Sequence, residues 1–336
     1  MAKIGIAGGS GYGGMELVQI LLGHPGAELA WISSERHAGK RVAQVYPHLQ
    51  GVLEQSFSPL EELSPGDLDV LFLALPHGEA MKIVPGLPED LVVIDLSGDF
   101  RISDPDVFEK FYHFPLESTQ EQKKFVYGLT ELNREKIRSA RRIANPGCFA
   151  SATLLALHPL FREEWIEGAV FVDTKTGSSG AGRSPGATTH HPWRSNSLFP
   201  YKPFSHQHLP EITQVLGESD NPLVFQTYSA PFVRGIFASH YMQLNRKAKV
   251  EDLARLYLDY YGSDFFIRWV PDCPNVNSVR HSNFVDIGAA TQDGFLIVWS
   301  VLDNLRKGAA GQAVQNMNLI CDFPEEMGLE NAPVMP

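Results

Sequence analysis

The sequence predicts an α/β chain in two domains: a doubly wound parallel sheet, then a second α+β domain with a mostly antiparallel sheet. Three observations carry that expectation. At 336 residues the chain exceeds the size of one typical hydrophobic core. Near-continuous apolar runs alternate with helical patterns in its first half, as strands covered on both faces should. After about residue 150, strand-like runs follow one another with shorter connections.

The elements follow in order. "KIGIA" (3–7) is a short apolar run ending in glycines, and "MELVQILLGHP" has apolar residues at helical spacing before Pro25. "ELAWIS" (28–33) reads as the second strand, and "DVLFLALP" (69–76), "LVVIDLS" (91–97) and "RRIAN" (141–145) as further ones. Strands separated by helical segments imply a parallel sheet with right-handed crossovers. Beyond them, "AVFVDTKTG", "LVFQTYSAP", "GIFASHYMQL", "NFVDIGAAT" and "FLIVWSVLD" are strand-like. "KVEDLARLYLDYYG" (249–262) and "KGAAGQAVQNMNLI" (307–320) are helical, the small residues of the latter permitting close packing. There is no internal repeat or low-complexity tract.

Composition narrows the function. Hydrophobic residues make up 43% and charged residues 20%, ordinary globular values. A formal net charge of −11 argues against nucleic acid or an anionic membrane as partner. An anionic ligand therefore needs local basic groups. Cys148, Cys273 and Cys321 have neither disulfide nor metal-ligand spacing, which suits a reducing compartment. "MAKIGIAGGSG" lacks a signal-peptide layout and no apolar run approaches membrane-spanning length, so the expected location is cytoplasmic.

"GIAGGSGYGGMELV" places Gly8, Gly11 and Gly14, and equally Gly9, Gly11 and Gly14 as a G-x-G-x-x-G, between the first strand and first helix. Glycine lets backbone N–H groups approach a pyrophosphate at the helix N-terminus, so a Rossmann-type dinucleotide site is expected, with Ser10 and Tyr12 in the same loop. The second strand runs out into "SSERHAGK", where an NAD site usually holds an acidic residue. Ser33, Ser34 and Arg36 suit a 2′-phosphate better, which favours NADP(H); Glu35 is discordant and is expected to face solvent.

"RRIANPGCFASATLLALHPL" (141–160) sets Cys148 after a strand and a Pro-Gly turn, at the start of a helix. The positive end of the helix dipole stabilises a thiolate there, although an unreactive packed cysteine is the plainer alternative. With a dinucleotide domain upstream, such a thiol suggests acyl transfer to sulfur followed by hydride reduction. "YKPFSHQHLPEI" supplies His206 and His208 as acid/base candidates. In an extended segment both imidazoles face one side, before Pro210 and Glu211 begin a helix. His190 and His191 raise a metal reading, but no ligand set completes it, and on a strand their side chains point apart; no metal is expected. "TKTGSSGAGRSPG" (174–186) offers backbone N–H groups and hydroxyls to a phosphate or nicotinamide ribose. "DLSGDFR" (95–101) delivers Arg101 at the carboxyl edge of the sheet; surface ion pairing is the plainer reading for Arg101 and Arg183.

"GGSGYGG", "LALPHG", "DLSGDFR", "ANPGCFASAT", "KTGSSGAGR", "HQHLPEI" and "DNLRKGAAGQAVQNMN" together resemble the N-acetyl-γ-glutamyl-phosphate reductases, relatives of aspartate-semialdehyde dehydrogenase, over almost the whole chain. The resemblance implies Cys148 as nucleophile, with His206, His208 and Glu211 around it. It sets Gly8, Gly11 and Gly14 against NADP(H). It also implies that Arg101 and residues 178–182 line the substrate-phosphate and nicotinamide region. Ser178, Gly180, Ala181 and Gly182 are accordingly expected at the cofactor, and Ser97, Asn145 and Arg183 beside Arg101 at the substrate. The implied domains are 1–148 with 308–336 for the cofactor, and 149–307 for catalysis and homodimer or homotetramer assembly. The implied reaction is NADPH-dependent reduction of N-acetyl-γ-glutamyl phosphate to N-acetylglutamate 5-semialdehyde and phosphate, in arginine biosynthesis. One departure is Gln207, where the family usually has arginine. It leaves open a carrier-protein-linked aminoadipyl or glutamyl phosphate as substrate, with aspartate-semialdehyde dehydrogenase activity a further alternative. A Cys–His hydrolase or an idle NADP sensor would each use only half of these features.

Overall fold

The computed structural model of the chain describes residues 1–217 and 219–335. Packing divides the chain into two units. The first comprises Met1–Pro105, Phe114–Pro146 and Ala309–Glu330; the second comprises Asp106–His113, Gly147–Gly308 and residues 331–335. These boundaries differ from the expected 1–148 with 308–336 and 149–307, and Pro336 lies outside the described residues. The reason is that membership follows contacts rather than chain order. Val334 N–H, for example, donates to the Arg280 carbonyl within the second unit at 3.1 Å.

In the first unit, short runs of valine, isoleucine and leucine form β1 (Ala2–Ala7), β2 (Ala27–Ile32), β3 (Val70–Leu73), β4 (Val92–Asp95), β5 (Val126–Tyr127) and β6 (Arg142–Ala144). All pair in parallel, in the order β2-β1-β3-β4-β6-β5. β3, β4 and β6 are buried at every position, hence their unbroken apolar sequence. β5 is two residues long and carries no periodic signal. The helix Tyr12–Leu22 follows β1 and buries Leu17, Val18, Ile20 and Leu21.

The helix Gly311–Ile320 closes this unit with polar side chains. Gln312, Gln315, Asn316 and Asn318 are all fully buried, and each is bonded. Asn316 accepts from Thr130 Oγ1 at 2.8 Å and donates to the Gly128 carbonyl at 2.8 Å and Asn145 Oδ1 at 3.2 Å. The chain enters this helix through a π turn, Arg306–Ala310, rather than as the single regular helix expected from residue 307.

In the second unit, β7 (Ile166–Thr176), β8 (Phe199–Tyr201), β9 (Leu223–Ser229), β10 (Ile236–Leu244), β11 (Ile267–Trp269), β12 (Val285–Gln292) and β13 (Phe295–Leu302) form one sheet. Their order is β11-β12-β13-β10-β7-β9-β8. The sheet is mixed: β7–β9 and β11–β12 pair in parallel, the other neighbours antiparallel. β7 and β10 alternate between buried and more exposed positions, so one face is covered. The helices Cys148–Arg162 and Val250–Tyr261 pack within this unit. Ser300 Oγ donates to the Ala152 carbonyl at 2.8 Å, and Tyr257 OH to that of Ala156. Leu154, Leu155, Leu157 and Leu160 are fully buried, each side chain contributing about 1.5–3 kcal/mol.

Replacing Asn316 by Leu leaves the Gly128 carbonyl, Asn145 Oδ1 and Thr130 Oγ1 without their partner. Urea unfolding should show a loss of about 2–4 kcal/mol, given about 1–3 kcal/mol for each orphaned buried polar group.

Candidate active site

The glycine loop follows β1 and is fixed by contact. Gly8 has φ +87°, and a Cβ there would lie 2.3 Å from the Ala74 carbonyl oxygen; one on Gly14 would lie 2.4 Å from that of Gly8. Gly11, the helix N-cap, and Gly13 are different. A Cβ on Gly11 would approach nothing closer than 3.8 Å, and one on Gly13 would meet nothing within 4 Å. Internal packing thus does not demand glycine at these two positions. They leave bare backbone at a helix N-terminus, whose first N–H groups have no intrahelical acceptor, and this fits the approach of a pyrophosphate.

The residues after β2 brace this loop. Ser33 Oγ accepts from Gly8 N–H at 3.2 Å, and the Ser10 and Ser34 hydroxyls share a hydrogen bond of 2.7 Å. Tyr46, which the sequence reading missed, donates its OH to the Ser10 carbonyl at 2.6 Å. Arg36 is exposed. Glu35 does not simply face solvent, as expected: its Oε1 accepts Leu60 N–H at 2.6 Å, capping a short turn.

At the carboxyl ends of β4 and β6 the expected substrate residues are mostly internal. Ser97 Oγ donates to Asp95 Oδ2 at 2.8 Å and accepts Asp99 N–H at 3.2 Å, and the residue is 3% exposed. Asn145, 1% exposed, donates to the Ala309 carbonyl at 3.0 Å and accepts from Asn316. Both side chains therefore hold strand ends together, a correction to their expected role. Arg101 donates to the carbonyls of Asn145 at 2.7 Å and Leu96 at 2.9 Å, pinning β4 to β6. Burial and the neighbouring Asp99 push the Asp95 carboxyl up to about 7.

In the second unit, Cys148 is the first residue of the helix Cys148–Arg162, capped by Gly147 in extended backbone. Gly147 N–H donates to Glu211 Oε1 at 2.7 Å. A Cβ on Gly147 would sit 2.3 Å from His208 Nε2, so only glycine lets that imidazole lie against the backbone beside the thiol. A Cβ on Gly308 would sit 2.7 Å from Cys148 Cβ, so a second glycine closes on the cysteine. Glu211 is fully buried, and His206 and His208 are buried too.

The two histidines lie together, their ring centroids 4.6 Å apart, but not on an extended segment. Gln207 is helical at φ −60°, ψ −15°, and the helix His208–Leu216 starts one residue later. That turn lets His206 Nδ1 accept His208 N–H at 3.2 Å. His206 packs between Phe149, Tyr201 and Phe225. Burial, with Lys202 nearby, lowers it to about 3, so it is neutral and its Nδ1 is an acceptor. Tyr201, also missed, is pushed well above the usual phenol range by burial and by Cys148. The quoted "YKPFSHQH" contained it; nothing in the spacing marked it.

Residues 178–182 form a 3-10 turn, Ser178–Ala181, ending at Gly182 with φ +80°. Its N–H groups do not form the expected open cradle. Ser178, Ser179, Gly180 and Gly182 donate to the carbonyls of Phe232, Val233, Gly177 and Ser179. What the turn presents is its small-residue surface. Arg183 beyond it is exposed, and His190 and His191 enter a helical turn (His191–Arg194) rather than a strand. Among the described residues no group of three or more His, Cys, Asp or Glu is placed to hold a metal ion. None of their helices is long and apolar enough to cross a membrane.

Comparison with known proteins agrees with this layout. The family model for the semialdehyde dehydrogenase NAD binding domain matches residues 3–140, and that for the semialdehyde dehydrogenase dimerisation domain matches residues 148–304. Solved structures of aspartate semialdehyde dehydrogenase share the fold. The Vibrio cholerae enzyme complexed with ASA has a TM-score of 0.74 at 19% identity, covering 96% of this chain and 98% of that one. The Candida albicans enzyme with NADP has 0.68 at 17%, covering 96% and 98%. The protein is thus an oxidoreductase of the semialdehyde dehydrogenase class. Among curated relatives, the N-acetyl-gamma-glutamyl-phosphate reductase of Archaeoglobus fulgidus is 43% identical over 99% of this chain and 100% of its own length. That of Bacillus cytotoxicus is 40% identical, again over 99% and 100%. The chain belongs to the N-acetyl-gamma-glutamyl-phosphate reductase family.

The raised Asp95 carboxyl makes the first unit's stability pH-dependent. Between about pH 4 and 7 the folded chain keeps a proton that the unfolded chain loses, so stability falls as pH rises through that window. Urea midpoints measured across it should decline for the wild type and flatten for Asp95→Asn.

Proposed function

We propose that the chain reduces N-acetyl-γ-glutamyl phosphate to N-acetylglutamate semialdehyde and phosphate, using NADPH and a thioester on Cys148. The observation that carries the reading is the thiol at a helix start, with the His208 ring against its preceding backbone and Glu211 holding that backbone. The names of the relatives support the substrate. Carrier-linked acyl phosphates are the weaker reading. Lys202 Nζ donates to Gln207 Oε1 at 2.9 Å, which brings a cation to the position where the family's arginine is missing.

Gly8, Ser10, Gly11, Tyr12 and Gly14 would hold the pyrophosphate. Arg36 would meet a 2′-phosphate, and residues 178–182 would flank the nicotinamide by shape. NADPH is favoured over NADH because Glu35 is turned onto Leu60 N–H. When bound, the reduced cofactor supplies the hydride that converts the acyl carbon to the aldehyde level. Cys148 Sγ forms a bond to the acyl carbon as the carbon–oxygen bond to phosphate breaks, and the phosphate keeps that electron pair. The helix dipole contributes about 0.3–1 kcal/mol to the thiolate, so His208 must take most of the proton burden. His206, held neutral and accepting His208 N–H, orients its neighbour rather than exchanging protons. As the carbon–sulfur bond breaks, the thiolate is regenerated.

The same reading includes assembly as a homodimer or homotetramer. Phe171 and Tyr241, paired in register across β7 and β10, and Phe295 on β13 stand exposed on the second unit's sheet. Three free cysteines suit a reducing cytoplasm.

A reverse assay supplies N-acetylglutamate semialdehyde, phosphate and NADP⁺, with NAD⁺ and aspartate semialdehyde arms alongside. NADPH should appear fastest with the first set, and Cys148→Ser should lower turnover more than about 10³-fold while NADPH fluorescence titration is unchanged. Substantial turnover by the serine variant would remove Cys148 as nucleophile. His208→Asn should lower kcat by about 10²–10⁴ and abolish its pH dependence near neutrality. His206→Asn should keep that dependence; if it is the variant that loses it, the roles are reversed.

A further inference from the structure

We infer that the second unit carries a separate binding site for a small monocarboxylate with an apolar arm. The site is a cavity of about 410 Å³ lined by Lys175, Arg234 and Arg280 together with Phe232, Phe237 and Val276. That volume lies within the range of small-molecule sites. None of these residues belongs to the thiol site described above.

The charge pattern sets the ligand class. Lys175 Nζ pairs with Asp173 Oδ1 at 2.6 Å, and Arg234 Nε with Asp303 Oδ2 at 2.5 Å. Arg280 differs: among the described residues no carboxylate pairs with it, and its Nε is buried without a hydrogen-bond acceptor. A buried guanidinium N–H left without an acceptor is unfavourable, and a carboxylate answers it with two parallel bonds. Two of the three cations already share a carboxylate, so the cavity matches a single negative charge better than a phosphate dianion. Phe232, Phe237 and Val276 supply the apolar wall that an aliphatic or aryl arm would fill.

The cavity walls connect to both sides of the thiol site. The Phe232 and Val233 carbonyls accept the N–H groups of Ser178 and Ser179 at 3.0 and 2.9 Å, anchoring the turn at residues 178–182. Asp303, the partner of Arg234, also accepts His281 N–H at 2.6 Å, Leu305 N–H at 2.9 Å and Arg306 N–H at 3.0 Å. It thereby fixes the start of the π turn whose Gly308 lies against Cys148. An anion drawing on Arg234 and Arg280 tightens these two segments.

Isothermal titration of the full-length protein with phenylbutyrate tests the site, with the neutral phenylbutanol and inorganic sulfate as controls. Saturable binding of the acid is expected, with the alcohol and sulfate at least about tenfold weaker, and Arg280→Gln and Lys175→Gln each weakening it about tenfold. Two variants guard against one failing to fold. Hydrogen exchange should slow at residues 177–182 and 303–308 on addition of the acid. No saturable binding, equal binding of the alcohol, preferred binding of sulfate, or unchanged binding in both variants overturns the site. Binding without altered exchange overturns the connection. Titration and exchange do not depend on turnover, so they stand or fall apart from the role of Cys148.

Discussion

One peptide group organises the catalytic half of this protein. Gly147 N–H donates to the buried carboxylate of Glu211 at 2.7 Å, while its bare Cα leaves room for the His208 ring. A carboxylate with no solvent exposure is held only if hydrogen bonds replace its lost water. The bond therefore ties the start of the Cys148 helix to the helix that carries His208. Any side chain at 147 would displace the imidazole, and loss of Glu211 would release the backbone. The geometry of the thiol, the imidazole and the carboxylate is a single constraint.

The first unit solves a related problem with different groups. Its ligand-facing edge is made of strand ends, where backbone carbonyls and N–H groups lose their ladder partners. Arg101, Asn145, Asn316 and the Asp95–Ser97–Asp99 set satisfy those groups from within. The polar residues in "DLSGDFR" are thus mostly structural, although they lie where ligands of α/β proteins bind. Polar side chains at a sheet edge first satisfy the protein, and only those left reaching outward serve a ligand.

The glycines separate into two kinds by the same reasoning. Gly8, Gly14, Gly147 and Gly308 are required by what already surrounds them. Gly11 and Gly13 are not, and this bareness is the structural trace of a ligand that approaches the backbone there. In the turn at residues 178–182 the small residues also leave a surface, but its N–H groups are paired, so contact there is by shape.

The sequence by itself determined the two architectures, the long strands, the glycine loop and the thiol at a helix start. These depend on local periodicity and on residue types whose chemistry is fixed wherever they stand, such as φ-tolerant glycine at position 8. It did not reveal the two- and three-residue strands, since β5, β8 and β11 are too short to show a period. Only the tertiary structure decided that Ser97 and Asn145 face inward, that Glu35 caps a turn, and that Tyr46 and Tyr201 stand beside the key loops. It also distinguished His206 from His208, which the sequence left equivalent. A side chain's role rests on which atoms saturate its hydrogen bonds, and those partners come from segments far away along the chain.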